Sequence, residues 1–527
     1  MVNYPLLIKQ LLLTPLATSA HREIVYRDQL RHDYRTFRDR IGRLAGLLTS
    51  QGVKRGDVVA VMDWDSHRYL EAYFAVPMMA ATLMTVNVRL SPEQIVYTLN
   101  HAEARLLLVH ADFLPLLEKI WPHLTSVQQR IILVDQGISP PGFPVEYEAG
   151  LASVSPDFPF ENFDENTRAT LFYTTGTTGL PKGVSFSHRQ IVLHTLSGTA
   201  ALGCGADQGR IHRDSVYMPM TPMFHVHAWG VPYMATMLGL KQVYPGRYVP
   251  ETLVSLIERE KVTFSHGVPT VLQMLLACPE AAKIDLSGLT MVVGGSALPR
   301  GLAAAALARG IDIFAGYGMS ETCPLLTLAH IGADQLGDPD TELTLRITAG
   351  QPVPLVEIRT VDEVMQDKPE GEVVVRAPWL TESYHKNPEA SAALWAGGYL
   401  HTNDIGILTE HGYLRITDRV KDVIKTGGEW VSSLALESLI SRHEGVAEAA
   451  VIAVKDAHWG ERPLALVVAK PGQDIDPQAI QDHLRGFVDS GEMSKFALPE
   501  RVLMVEAIDK TSVGKVDKKL LRQKYAV

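Results

Sequence analysis

Tyr173-Thr174-Thr175-Gly176-Thr177-Thr178-Gly179-Leu180-Pro181-Lys182-Gly183 combines hydroxyls, glycines and one cation, the groups that hold phosphate. The glycines allow close backbone approach, while threonine hydroxyls and successive N–H groups can surround phosphate oxygens beside the Lys182 ammonium. The spacing is not that of a P-loop, which needs Gly-Lys-Ser/Thr where this chain has Pro181-Lys182-Gly183. A Gly/Thr-rich surface turn has the same composition. A second cluster, Ala315-Gly316-Tyr317-Gly318-Met319-Ser320-Glu321-Thr322, opens like a dinucleotide fingerprint but has Glu321 in the third glycine's place, which disfavours a Rossmann site. Its tyrosine face could stack on a base, and a carboxylate beside hydroxyls could hold Mg²⁺ together with nucleotide phosphates. A tight turn with a solvated glutamate is the alternative.

Further chemistry lies in Thr402-Asn403-Asp404, Asp418-Arg419-Val420-Lys421-Asp422, Lys425-Thr426-Gly427-Gly428-Glu429-Trp430 and Lys510-Thr511-Ser512-Val513-Gly514-Lys515. By itself Lys515 reads as part of a solvated basic tail with Lys510, Lys518 and Lys519. His225 and His227 stand two apart without the third ligand of a zinc spacing, so metal binding there is disfavoured, and His227 reads equally as a core histidine.

These residues must be carried by parallel sheets covered by helices. Strand-length apolar segments (residues 58–62, 104–109, 169–172, 311–314) alternate with helix-length amphipathic ones, such as the run near Tyr69 to Met79. The chain has 527 residues, 46% hydrophobic and 20% charged, so it is expected to fold as two to four domains around a large core. With 49 basic and 59 acidic residues it has a formal net charge of −10, which attracts neither nucleic acid nor anionic lipid. Its three cysteines are too few and too scattered for a disulfide framework, which favours a reducing cytoplasm. Residues 215–240 contain no charged side chain but include Pro219, Pro222 and Pro232, so they read as a buried strand-and-loop segment and not as a membrane span. The Leu11-Leu12-Leu13 region predicts an amphipathic first helix in place of a secretory signal. The expected architecture is α/β: a large N-terminal domain with parallel-rich sheets over residues 1–420, and a small α+β domain over residues 421–527. A cleft between two unequal bodies is a preferred ligand site.

In their order along the chain, from about Asp33-Tyr34-Arg35 to the end, these motifs resemble the adenylate-forming (ANL) acyl-CoA synthetase superfamily, which also includes peptide-synthetase adenylation domains and beetle luciferases. Pro222-Met223-Phe224-His225-Val226-His227-Ala228-Trp229-Gly230 and Gly427-Gly428-Glu429-Trp430 are most similar to the medium-chain fatty acid–CoA ligases. The resemblance implies that a carboxylate and ATP give acyl-AMP and pyrophosphate, after which coenzyme A displaces AMP to form a thioester.

The same resemblance implies roles for individual residues. Thr177 and Glu321 hold Mg²⁺. Thr174, Thr175, Gly176, Thr178 and Lys182 hold the β- and γ-phosphates, and Ser320 approaches the α-phosphate. Gly294, Gly295, Ser296, Ala297, Gly316, Tyr317 and Gly318 form the adenine site. Asp404 and Arg419 bind the ribose, with Asn403 replacing the usual glycine; asparagine tolerates a left-handed φ, so the local geometry is expected to be retained. Lys515 is the adenylation lysine. His225 gates an acyl pocket shaped by Trp229, His266, Gly267, Val268 and Gly316. Lys421 is the hinge of a mobile C-terminal domain, and Gly427, Gly428, Glu429 and Trp430 line the CoA tunnel, where Trp430 also reads as a packing residue. His225 stands where amino acid-activating relatives carry an aspartate, which favours a simple organic acid. The partners implied are a short- or medium-chain carboxylic acid, ATP and CoA, in a homodimer. Two other readings stay open: an adenylating enzyme that loads a separate carrier protein, and an inactive nucleotide-binding relative.

Overall fold

The computed structural model describes residues 4–135, 142–174, 180–204, 210–332, 335–426, 429–511 and 515–526. Among them, a six-stranded sheet runs in the order Gln129–Leu133, Ala104–His110, Val58–Met62, Thr82–Thr85, Arg168–Tyr173 and Gly183–Ser187, parallel except at its last strand. Its central strands are buried on both faces, as continuous Val/Leu runs require. Val59 and Val61 enter one core, while Val58, Ala60 and Met62 enter the other.

The first of these cores is shared with a nine-stranded sheet. Its central strands, Asp312–Gly318, Thr290–Val293, Phe264–Gly267, Val216–Met220, Lys241–Tyr244 and Glu23–Tyr26, are mutually parallel. The helices Tyr34–Ser50 and His67–Met78 also contribute to this core. The second helix departs from the amphipathic reading, because all of its residues are buried. Its charged side chains are tolerated because they are paired: Arg68 with Asp135 at 2.9 Å, and Glu71 with Arg40 at 2.6 Å and with the Tyr147 hydroxyl at 2.5 Å.

An antiparallel sheet of Glu357–Val361, Glu370–Arg376, Leu400–Leu408 and Leu414–Arg419 follows. Ile424–Thr426 already belongs to a separate five-stranded sheet with Glu429–Val431, Val446–Asp456, Gly460–Ala469 and Arg501–Met504, which has its own hydrophobic cores. The chain is thus a large N-terminal α/β domain followed by a small C-terminal one. Residues 215–240 form the strand Val216–Met220, a turn and the helix Val231–Leu238. Among the described residues no helix is long and apolar enough to cross a membrane, and Cys204, Cys278 and Cys323 are all free.

Candidate active site

The parallel pairing of four strands stops at one level, where Met220 pairs with Gly267, Gly267 with Val293, and Val293 with Ala315. The segments that follow, carrying His225, Val268, Gly294-Gly295-Ser296-Ala297 and Gly316-Tyr317-Gly318, therefore emerge together at the carboxyl edge of the sheet, where open α/β sheets bind ligands. Gly318 is required there, since a Cβ would lie 1.8 Å from the Pro324 carbonyl oxygen. Gly295, at φ +80°, offers bare backbone to the cleft; a Cβ there would meet Val268 Cγ1 at 3.2 Å and Lys515 Cε at 3.6 Å.

The antiparallel sheet adds an acid–base pair. Asp404 and Arg419 face each other across two strands, with Arg419 Nε donating to Asp404 Oδ1 at 3.1 Å and the Tyr317 hydroxyl donating to Oδ2 at 2.7 Å. Asp404 pushes the Arg419 guanidinium further above its ordinary value. Asn403 sits at φ +58°, in the left-handed region.

Lys515 reaches this cleft from the C-terminal domain. It sits on a narrow hairpin in which Lys510 pairs with Val516 and the Thr511 N–H donates to the Lys515 carbonyl at 2.7 Å. Burial, reinforced by Arg419, lowers its ammonium to about 8, against the opposing pull of Asp404 and Glu321. Burial, and then the Lys515 charge, hold the His225 imidazole neutral with its pKa lowered to about 3. Lys515, His225, Asp404, Arg419 and Glu321 therefore share one electrostatic environment. The basic-tail reading of this region fails, because Lys510 pairs with Glu448 at 3.0 Å and Lys518 with Glu437 at 2.7 Å.

Glu321 is buried, and burial raises its carboxyl above the ordinary value. It accepts a 2.7 Å hydrogen bond from the Tyr384 hydroxyl, and the Tyr384 ring lies 4.6 Å from the Lys182 ammonium. Tyr384 is a residue that sequence reasoning missed: nothing in Ser383-Tyr384-His385 marks it, and only the bridge from Tyr384 to Val184 places it beside the strand that follows Lys182. Tyr384→Phe keeps the ring under Lys182 and removes the bond to Glu321. It is expected to reduce ATP–pyrophosphate exchange about tenfold, mainly through KM for MgATP, the scale of one charge-assisted hydrogen bond. Unchanged kinetics would remove Tyr384 from the site.

The apolar side is built on unusual backbone. Val226, His227, Ala228, Trp229 and Gly230 all have positive φ, forming a left-handed turn. Such a turn costs roughly 1–2 kcal/mol for each non-glycine residue, so it must be held from outside. Asp65 Oδ1 accepts from the Met223 N–H at 2.8 Å, the Tyr73 hydroxyl donates to the Met223 carbonyl, and Thr85 Oγ1 donates to the Phe224 carbonyl at 2.8 Å. The turn sends His227 into the core among Phe172, Phe186, Tyr73 and Tyr233, which makes it a packing histidine. Trp229 faces the site: its ring lies 5.1 Å from that of His266, and its Cη2 lies 3.2 Å from where a Gly294 Cβ would be.

Of the remaining expected site residues, Thr174 closes the base of the loop by donating its N–H to the Lys182 carbonyl at 2.9 Å. Ser320 is half-buried beside Glu321, and Ser296 and Ala297 are exposed at the cleft edge. Thr175, Gly176, Thr177, Thr178, Gly427 and Gly428 lie outside the described residues. Glu429–Val431 pairs with Ile424–Thr426, opposing Glu429 to Thr426 and Trp430 to Lys425. Lys421 is exposed between two sheets, and Arg522 of the C-terminal helix donates to its carbonyl at 3.3 Å and pairs with Asp422.

Residues 15–385 match the family model described as AMP-binding enzyme, and residues 435–515 match that of the AMP-binding enzyme C-terminal domain. The chain belongs to the AMP-binding enzyme family. Within that family it is similar to a long-chain-fatty-acid–CoA ligase of Thermus thermophilus, with 41% identity over 94% of this chain and 90% of the relative. It is also similar to a 3-methylmercaptopropionyl-CoA ligase of Ruegeria pomeroyi, with 39% identity over 92% and 90%. The crystal structure of the anthranilate CoA ligase AuaEII in complex with anthranoyl-AMP shares the fold, with a TM-score of 0.87 at 24% identity over 99% of this chain and 98% of that one. Like these relatives, this AMP-binding enzyme is an acid–CoA ligase.

Proposed function

We propose that this enzyme activates a short- or medium-chain carboxylic acid. A carboxylate oxygen attacks the α-phosphorus of ATP, pyrophosphate leaves, and the acyl-AMP is then attacked at its carbonyl by the thiol of CoA, with AMP leaving as the thioester forms. The observation that carries this reading is Lys515, brought from the C-terminal domain to the Gly295 backbone beside His225, Glu321 and Asp404. Two anions must meet in the first step, so charge neutralisation is the dominant catalytic contribution. Lys515 supplies a compact positive charge between carboxylate and α-phosphate, and Lys182 with residues 174–178 receives the departing pyrophosphate.

The Glu321 carboxylate, held from one side by Tyr384, fits a hard divalent ion that takes few protein oxygens and completes its shell with phosphates and water. Glu321 and Thr177 would hold Mg²⁺, which supplies charge neutralisation on the phosphates. Asp404 and Arg419 orient the ribose, and Gly316 and Tyr317 border the adenine. Neutral His225 closes the acyl pocket without adding charge next to the substrate carboxylate.

Lys515 must leave before the thiol enters, so residues 421–527 turn about Lys421 relative to residues 1–420, and Gly427 and Gly428, with Glu429 and Trp430, admit the pantetheine arm. The position of Lys421 between two sheets supports that pivot. Three free cysteines support a cytoplasmic enzyme, and a homodimer is the state to look for by light scattering. The Trp229 indole against Gly294 and Val268 against Gly295 narrow the pocket and support the shorter acids. The test is ATP–pyrophosphate exchange with acids from acetate to dodecanoate, including aryl and sulfur-bearing ones. Exchange is expected to peak below dodecanoate, with net AMP release requiring CoA. No exchange with any acid, or a maximum at dodecanoate, would contradict the proposal.

A further inference from the structure

At the opposite, amino-terminal edge of the six-stranded sheet lies a cavity of about 360 Å³. Its lining includes the residues around the starts of three strands, Val58, Arg105 and Arg168, and the segment 125–128 that precedes a fourth. None of the residues assigned above to nucleotide, acid or CoA lines it. The volume is at the lower end of the roughly 300–1,000 Å³ typical of ligand pockets.

The charged side chains of this cavity are unevenly paired. Arg105 Nε lies 3.4 Å from Asp57 Oδ2, and the Glu103 carboxylate is taken at 2.8 Å by Lys386 just outside the cavity. Arg168 has no carboxylate within ion-pair distance among the described residues. Its Nε donates to Thr82 Oγ1 at 3.2 Å, and its Nη1 lies 3.4 Å from His385 Nδ1, both neutral partners. Burial lowers the Arg168 guanidinium from its ordinary value, with Tyr173 and Glu103 opposing, so the cation is held where an anion would stabilise it. Arg105 and Arg168 thus share the lining with Asp57 and Glu103, but with Asp57 taken by Arg105 and Glu103 by Lys386, Arg168 is the lining cation left without an ion-pair partner among the described residues. Thr125, Ser126 and Gln128 also line the cavity, residue types whose hydroxyls and amide can hydrogen-bond a phosphate or a hydroxylated body.

We propose that this cavity is a second anion site, in which Arg168, with Arg105 and the hydroxyls of Thr125 and Ser126, binds a phosphate group, either as free orthophosphate or as the head of a small phosphomonoester. Arginine suits the role because its planar fork matches phosphate oxygens. The site adjoins the nucleotide cleft through one stretch of chain: Tyr384 donates to Glu321, and the next residue, His385, lines the cavity while its N–H donates to the Gly183 carbonyl at 2.8 Å.

The test uses the full chain with the nucleotide site filled by Mg²⁺ and α,β-methylene-ATP, titrated calorimetrically with glycerol 3-phosphate, orthophosphate and glycerol. Saturable binding of at least one phosphate is expected, with none for glycerol. A stronger response to glycerol 3-phosphate assigns the ester, and equal affinity assigns the free ion; either upholds the site. Arg168→Gln should weaken binding about tenfold or more. Thr125→Trp, on the exposed rim, should block the cavity without removing a charge. No saturable phosphate binding by about 10 mM, or undiminished affinity in both variants, would overturn the proposal.

Discussion

Lys515→Ala is expected to lower carboxylate-dependent ATP–pyrophosphate exchange by about a thousandfold or more, while thioester formation from supplied acyl-AMP and CoA stays largely intact. The asymmetry follows from where the charge is needed. Attack on the α-phosphorus builds negative charge between two anions, and the Lys515 ammonium is the group carried there from the other domain. In the proposed cycle, displacement of AMP by the thiol follows withdrawal of that lysine. Equal loss of both half-reactions would contradict the assignment. The ammonium, lowered to about 8 by burial first and Arg419 second, also sets a pH limb. The charged form is present below that value and is lost as pH rises through it, so exchange should fall by about tenfold per pH unit on the alkaline side. His225, held down near 3, stays neutral throughout and contributes no second limb in this range. Lys515→Arg keeps its charge to much higher pH, so the limb should vanish even though the bulkier fork slows the reaction. A limb unchanged in that variant would assign it to another group.

Glu321→Gln is expected to reduce exchange by about a hundredfold or more and to raise the Mg²⁺ concentration needed for half-maximal rate. Glutamine keeps the size of the side chain and still offers an oxygen to the Tyr384 hydroxyl, so the local hydrogen bond survives and the charge alone is removed. Removing a buried carboxylate that burial already disfavours should leave stability unchanged or slightly raised. Thermal unfolding of the variant separates this from misfolding: a markedly lower Tm, or an unchanged Mg²⁺ requirement, would count against Glu321 as a ligand.

Much of the architecture was legible in the chain itself. The segments 104–109, 169–172 and 311–314 appear as the strands Ala104–His110, Arg168–Tyr173 and Asp312–Gly318, because continuous apolar runs bounded by turn residues have few other ways to be buried. The run near Tyr69 to Met79 reads as amphipathic in sequence, yet every residue of the helix His67–Met78 is buried, and its Arg68 and Glu71 are neutralised by Asp135 and Arg40. The left-handed turn from Val226 to Gly230 was not legible, since four of its five residues are not glycine and its support comes from Asp65, Tyr73 and Thr85 on other elements. Tyr384 was invisible for the same reason.

The sequence by itself determined the kinds of chemistry available: a hydroxyl- and glycine-rich loop with a lysine, a carboxylate next to hydroxyls, and a lysine near the end of the chain, in an order that resembles the adenylate-forming enzymes. Those properties belong to residue types and survive without coordinates. The tertiary structure decided which groups act together and in what protonation state. Lys515 against Gly295, Tyr384 between Glu321 and Lys182, and Arg168 without an ion-pair partner among the described residues are all relations between distant parts of the chain. Coulomb energy and desolvation depend on separation in space and on burial, and neither quantity is written in the spacing of residues along a chain.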